Sequence, residues 1–340
     1  MHQQRKADHI RICLEKDVSF KNVTTGFERY RFEHNALPDL NMDDVDTSTL
    51  LLGKRLTAPL LISSMTGGTA EAHTINQRLA KAAQDAGIGM GIGSQRAAIK
   101  DPTLVDTFRV RHVAPDILLM ANLGAIQLNY TYSIDECRRA VDMIEADALI
   151  LHLNPLQEAL QPEGDTRFAG LLSKIEAVCK AIEAPVVAKE VGWGFSEQVA
   201  RQLADAGVSA LDVAGAGGTS WSQVEMYRAK TERQRKVAAP FVSWGIPTTE
   251  SLKQARQGAP ELPIVASGGV YDGIQIAKAI ALGASAGAIA GPFLRAANES
   301  TATVAEFIAM VVTQLRVTMF ATGTADIQSL QHAPIILATP

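Results

Sequence analysis

From about residue 58 the chain repeats one pattern: a short run rich in Ile, Val, Leu and Ala, a glycine or polar step, then a longer segment with helical periodicity. Candidate strands fall at 59–63, 88–92, 117–121, 148–152, 185–189, 210–213, 263–267 and 286–290. Most are continuous apolar runs, as parallel strands covered on both faces require. Eight strands alternating with helices is the number that closes a barrel. The intervening segments are amphipathic: Ile134, Val141 and Ile144 share one helical face, and Val199, Leu203 and Ala206 another. Several stop in glycine just before the next strand, at Gly87, Gly207 and Gly283, where a left-handed cap suits that residue. The expected class is α/β, one (β/α)8 barrel over 58–340. Between the sixth and seventh strands lies a longer gap with a charged run, Arg228 to Lys236, read as an exposed insertion or mobile loop. Residues 1–57 carry Arg5, Lys6, His9 and an acidic stretch from Asp43 to Asp46. Composition leaves open a frayed extension or a flap over the barrel; a contribution to the barrel mouth is the expectation.

Charge bounds the partners. Lys plus Arg number 32 against 36 Asp plus Glu, a net of −4, and the pI is near 6.0. That leaves no basic excess to neutralise a nucleic-acid backbone. Cys13, Cys137 and Cys179 form no CxxC pair, which fits a reducing compartment and small core residues rather than disulfides or a cysteine zinc site. The start has no apolar h-region, and the uncharged stretch between Lys278 and Arg295 is shorter than the ~20 residues a bilayer needs. The expectation is a soluble cytoplasmic protein with no membrane partner.

In a barrel of this kind the chemistry sits where the strands end and the βα loops begin. Those ends read Ser64-Met65-Thr66, Ser94-Gln95-Arg96, Asn122, His152, Gln157-Glu158, Lys189-Glu190, Gly217-Gly218-Thr219, Gly268-Gly269 and Ala290-Gly291. Glycine turns alone explain Gly268 but not Gln95-Arg96 or Gln157-Glu158. The last two ends are small residues followed by helical segments, the usual place for a phosphate on bare N–H groups. Lys189 has three readings: a Schiff-base nucleophile, a partner for an anionic ligand, or an ion pair with a carboxylate. Glu158 offers a single oxygen ligand for Mg2+ shared with substrate phosphates, whereas Glu163 and Asp165 read equally well as a solvated acidic loop. His152 is read as a base, a donor to an anion, or a satisfied core histidine. GxGxxG after a strand, GxxxxGK[ST], HExxH and GxSxG are all missing, so Rossmann, P-loop, zincin and hydrolase readings lose their main support.

The ordered strand-end series, together with Arg5-Lys6, His152-Leu153-Asn154-Pro155-Leu156-Gln157-Glu158 and Trp244-Gly245-Ile246-Pro247-Thr248, closely resembles type 2 isopentenyl diphosphate isomerases, FMN-dependent (β/α)8 enzymes. That family interconverts isopentenyl and dimethylallyl diphosphate by a 1,3-allylic proton shift with reduced FMN as acid and base, in isoprenoid biosynthesis. The resemblance implies flavin contacts at Ser64, Met65, Thr66, Ser94, Asn122, Lys189 and Thr219, with the flavin phosphate at Gly268, Gly269, Ala290 and Gly291. It implies substrate contacts at Arg5, Lys6, Ser94, Gln95, Arg96, His152 and Gln157, and Mg2+ on Glu158. Gln157, His152 and Lys189 are the implied catalytic residues beside reduced FMN, NADPH the implied reductant, and a homotetramer or homo-octamer the implied assembly. The chain has Ala214 where a serine is frequent and Tyr271 where an arginine occurs, so no phosphate contact is assigned to either. A 2-hydroxy-acid oxidase shares the phosphate site but needs a His/Arg pair that the sixth and seventh loops lack. A non-catalytic flavin- or phosphate-binding barrel leaves Gln157-Glu158 and Arg5-Lys6 unexplained.

Overall fold

The computed structural model describes the backbone of residues 2–338 and the side chains of residues 6–338. Eight parallel strands close a barrel in chain order: Leu60–Ile62, Gly89–Gly91, Leu119–Gly124, Ala148–Leu153, Val186–Glu190, Ala210–Asp212, Ile264–Ala266 and Ala286–Ile289. The last pairs back onto the first, Gly287 with Leu60 and Ile289 with Ile62. The third strand ends at Gly124, later than the apolar run predicts, because Asn122 and Leu123 continue the ladder against Ile150 and Leu151. A polar residue inside a ladder is invisible to a hydrophobic pattern.

Two packed layers follow from the strand alternation. Leu61, Leu118, Met120, Ile150, Val187, Val265 and Ala288 fill the inside, and the outward side chains join the surrounding helices in one continuous core. Gly87 caps the helix Ala70–Ala86 at φ 67, in the left-handed conformation glycine adopts without a Cβ clash. Along the helix Glu197–Asp205, Leu203 is buried and so is Ala206 just past its end, as expected, but Val199 is exposed and Ala200 takes its place in the core.

Residues before the barrel serve both of its ends. The hairpin Thr49–Leu51 with Lys54–Leu56 turns through Leu52 and Gly53, both at positive φ. It sets Leu51 and Leu56 into the inner barrel layer. At the opposite end the helix His2–Glu15 packs on the helices Trp221–Arg228 and Gly291–Glu299. The strap behind it is stitched to the sixth loop by Ser220 N–H to Val18 O (2.8 Å) and Phe20 N–H to Gly218 O (3.2 Å).

The charged run between the sixth and seventh strands is not a loop. Arg228 closes the helix Trp221–Arg228, and Glu232–Ala238 is a second helix with a capping box from Thr231 and Gln234. Among the described residues one helix, Thr301–Thr322, has the length and mean hydropathy (1.5) of a membrane span. It packs on three helices of the outer ring, the place of a barrel helix, and carries Glu306 and Arg316. The three cysteines are free, Cys137 buried and Cys13 and Cys179 partly so.

Candidate active site

At the C-terminal ends of the strands a cavity of about 580 Å³ opens between the βα loops and the N-terminal helix. The register sets Gly124, His152, Lys189 and Asp212 side by side along the barrel's upper rim. Ser64, Met65 and Thr66 line the cavity from the first loop, Ser94 and Arg96 from the second, and Asn122 from the third. His152, Gln157 and Glu158 come from the fourth, Lys189 from the fifth, and Thr219 from the sixth. Gly268, Gly269, Ala290 and Gly291 complete the ring, and Lys6 reaches in from the N-terminal helix. The side chain of Arg5 lies outside the described residues.

Gln95 departs from expectation. It is fully buried and does not line the cavity. Its amide donates to Ala140 O (2.8 Å) and its Oε1 accepts from Asn122 N–H (2.9 Å), so it pins the third strand to the helix behind it. A substrate contact by that side chain is ruled out by this geometry.

Lys189 is only 6% exposed, and Nζ lies 3.1 Å from Asp212 Oδ2. Of its three readings the ion pair is the one present. Asp212 also accepts from Ser267 Oγ (2.5 Å), which leaves the buried carboxylate doubly held. Beside it Glu190 Oε2 gathers the N–H groups of Val191 (2.7 Å), Gly192 (2.8 Å) and Trp193 (2.6 Å). Burial nevertheless pushes the Glu190 carboxyl up to about 7, and those donors only moderate the rise. Glu190 thereby shapes the fifth loop, whose Val191 and Gly192 face the cavity.

A second network crosses the mouth. Gln157 Nε2 donates to Glu225 Oε1 (3.0 Å), Asn154 Nδ2 donates to Gln157 Oε1 (3.1 Å), and His9 Nε2 meets the same Glu225 oxygen at 3.2 Å. Arg228 takes the other carboxylate oxygen. Burial alone would raise the Glu225 carboxyl, but His9, Arg228 and Gln157 outweigh it and hold it below the usual range. The amide of Gln157 is thus oriented, and the N-terminal helix is tied to it. His152 Nδ1 lies 2.7 Å from Asn122 Oδ1, a contact that fixes the orientation of the imidazole ring at the rim. Neither Glu225 nor Asp212 stands out in the sequence. Asp212 ends an apolar strand, a signal of the same kind that marked Lys189, whereas Glu225 sits in a helix whose role depends on a fold-back no pattern encodes.

The opposite arc is built for close approach to backbone. Gly268 and Gly269 have φ of 96 and 71, and a Cβ on Gly268 would meet Gly215 O at 2.1 Å. Ala214, beside them, adopts φ 37, a conformation rare outside glycine that clusters at functional sites. Gly291 opens the helix Gly291–Glu299, whose N-terminal amides carry partial positive charge. Ser64 Oγ is buried without a partner. The small-residue cradle, that unpartnered hydroxyl and the buried Lys189 fit a flavin mononucleotide with its phosphate on the seventh and eighth loops. Glu158 accepts from Asn154 Nδ2 (3.0 Å) and Asp165 N–H (2.7 Å) and keeps lone pairs toward the cavity, a donor set suited to one bond to Mg2+ rather than to a protein-only cage.

Residues 2–101 and 154–337 match the FMN-dependent dehydrogenase family. An isopentenyl-diphosphate delta-isomerase of Nostoc sp. is 54% identical over 97% of this chain and 95% of its own. One of Rickettsia africae is 52% identical over 98% and 97%. Among solved structures, mandelate oxidase with (S)-4-hydroxymandelic acid aligns with a TM-score of 0.66 at 17% identity, covering 99% of this chain and 98% of that one. A mandelate oxidase variant with (S)-mandelic acid reaches 0.68 at 17% identity, covering 99% and 95%. At that identity the oxidases attest the barrel alone, while the full-length relatives are decisive: the chain belongs to the FMN-dependent dehydrogenase family and, within it, to the isopentenyl-diphosphate delta-isomerases.

Proposed function

We propose that the protein interconverts isopentenyl and dimethylallyl diphosphate by a 1,3-allylic proton shift, with FMN, Mg2+ and NADPH as cofactor, metal and reductant. The observation that carries the reading is the division of one cavity into two arcs. An anion-binding arc offers Lys6, Arg96, His152 and Glu158, and across the closed barrel lies the small-residue cradle of Gly268, Gly269, Ala290 and Gly291. An isolated alkene is a very weak base, so its protonation needs an acid held dry and a base on the allylic proton. Reduced FMN, when bound, supplies acid–base groups at its ring nitrogens.

The chain's residues do the rest. Ser64, Met65, Thr66, Ser94, Asn122 and Thr219 would line the flavin, and Lys189 would supply the positive charge that favours its reduced anion. Lys6, Ser94, Arg96 and His152 would bind the diphosphate, and Glu158 would hold the Mg2+ that neutralises its charge. Lys6 Nζ is already poised there, 2.6 Å from Ser94 O and over the Phe108 ring. Gln157, fixed by Glu225 and Asn154, orients the hydrocarbon end of the substrate and the proton it exchanges. A homotetramer or homo-octamer in the cytoplasm belongs to the same reading, supported by the exposed Met310 and Val317 on the helix Thr301–Thr322.

The oxidase alternative finds no support in the loops, since no histidine occurs between 153 and 331. The test is a paired assay. Protein with reduced FMN and Mg2+, without oxygen, is expected to yield acid-labile dimethylallyl diphosphate from isopentenyl diphosphate. The same protein with oxidised FMN, air and mandelate, lactate or glycolate is expected to yield no hydrogen peroxide. Peroxide formation without isomerisation would replace the isomerase by an oxidase.

A further inference from the structure

We propose that Asp165 is a positioning residue that presets the diphosphate end of the site, its carboxylate holding Arg96 by one edge while its main-chain N–H holds Glu158. The inference rests on the isomerase reading and adds to it a residue that touches neither substrate nor metal. Asp165 Oδ2 accepts from Arg96 Nη1 and from Gln127 Nε2, each at 2.9 Å. Its N–H donates to Glu158 Oε2 at 2.7 Å. One residue thereby couples the cavity's arginine to its metal-binding carboxylate.

The local chain is shaped for this. After the helix Pro155–Leu160 the backbone turns through Gly164, whose N–H donates to Gln161 O at 3.2 Å. A Cβ on Gly164 would meet Glu158 O at 1.8 Å, so only glycine lets the turn fold back over Glu158. The Arg96 and Asp165 side chains are 18% and 17% exposed, which shields the pair from solvent screening. Arg96 Nε is buried without a partner. A guanidinium is a planar fork; with Nη1 taken by Asp165, the edge carrying Nε is the one left to grip an oxyanion in two-point contact. An arginine held in this way has already lost its rotamer freedom before the ligand arrives.

Two effects of removing the carboxylate oppose each other. Loss of orientation weakens anion binding, whereas loss of a negative charge strengthens it; the sign of the change decides the proposal. We expect Asp165→Ala to raise KM for isopentenyl diphosphate and the half-saturating Mg2+ concentration about tenfold, with kcat within about twofold, the signature of lost binding common to ground and transition states. Asp165→Asn, which keeps the shape and an oxygen acceptor but not the charge, is expected to fall between. If Asp165 acts through Arg96, the double variant with Arg96→Ala is no worse than Arg96→Ala alone. An unchanged or lower KM, or additive effects, would overturn the proposal. Calorimetric titration of each FMN-loaded variant with Mg2+ and inorganic pyrophosphate reads the same coupling without turnover: about tenfold weaker binding is expected, and unaltered or tighter binding overturns it. A wild type whose pyrophosphate binding weakens on loss of the Asp165 carboxylate, yet which isomerises nothing, would count against the parent reading alone.

Discussion

Removing Asp212 tests how the site keeps Lys189 buried and charged. Asp212→Ala deletes the carboxylate 3.1 Å from Nζ, with both side chains 8% exposed, and strips Ser267 of its acceptor. Breaking a buried pair by one partner costs about 3–5 kcal/mol, since the remaining charge has no compensation. Over 340 residues an unfolding entropy of ~2.1 cal/mol/K per residue makes 1 kcal/mol worth about 1.4 °C, so the fall in Tm should be roughly 4–7 °C. Lys189→Ala strands the carboxylate instead, with Ser267 still bound to it. The double variant buries no unpaired charge, so its loss should be smaller than the two single losses summed by about 2–3 kcal/mol. Urea unfolding of the flavin-free protein, with reversibility checked, measures all three. Additive losses, or an Asp212→Ala loss below about 1 kcal/mol, would show that the pair does not hold the fifth and sixth strand ends together.

Three further outcomes follow from the same geometry. Glu190 is raised by burial to about 7, above the ordinary glutamate range of the unfolded chain, so folding favours its protonated form. Its stabilising contribution is present at low pH and is lost as pH rises through 7; wild-type stability relative to Glu190→Gln should drop by roughly 3 kcal/mol between pH 4.5 and 7.5, and a flat difference in urea unfolding would contradict it. Glu158→Gln should raise the Mg2+ requirement and lower kcat/KM while leaving FMN affinity within about twofold, measured by activity against Mg2+ and by flavin fluorescence; unchanged metal dependence removes the ligand role. Gly268→Ala drives a Cβ to 2.1 Å from Gly215 O at φ 96, a strain of at least 1–3 kcal/mol, and should weaken FMN binding tenfold or more; full flavin retention would place the phosphate elsewhere.

The barrel was legible because its signal is repeated eight times: apolar run, polar exit, amphipathic segment. Its rim was legible because residues such as Gln157, Glu158 and Lys189 are out of character for strand ends. Illegible were the contacts made across sequence. Gln95 reads as a rim residue, yet the turn after the second strand directs it inward to Asn122 and Ala140. Glu225 carries no local signal, and only because the helix Trp221–Arg228 packs against the N-terminal helix is it buried between His9, Gln157 and Arg228. Asp165 was balanced between loop and site until the turn at Gly164 brought it onto Arg96. In each case a polar residue is buried by a partner more than sixty positions away or by a turn, and local periodicity carries no record of such pairing. The hairpin plug of Leu51 and Leu56 was missed likewise, being two short strands ahead of the repeat.

The proposed reaction is a proton shift without net oxidation. Isopentenyl diphosphate in D2O, followed by NMR with NADPH, FMN, Mg2+ and the purified protein under anaerobic conditions, measures that shift directly. Deuterated dimethylallyl diphosphate that appears only when the flavin is reduced, with no stoichiometric loss of NADPH per turnover, is the predicted result. Flavin bound and reduced while the substrate keeps all its protons would contradict it.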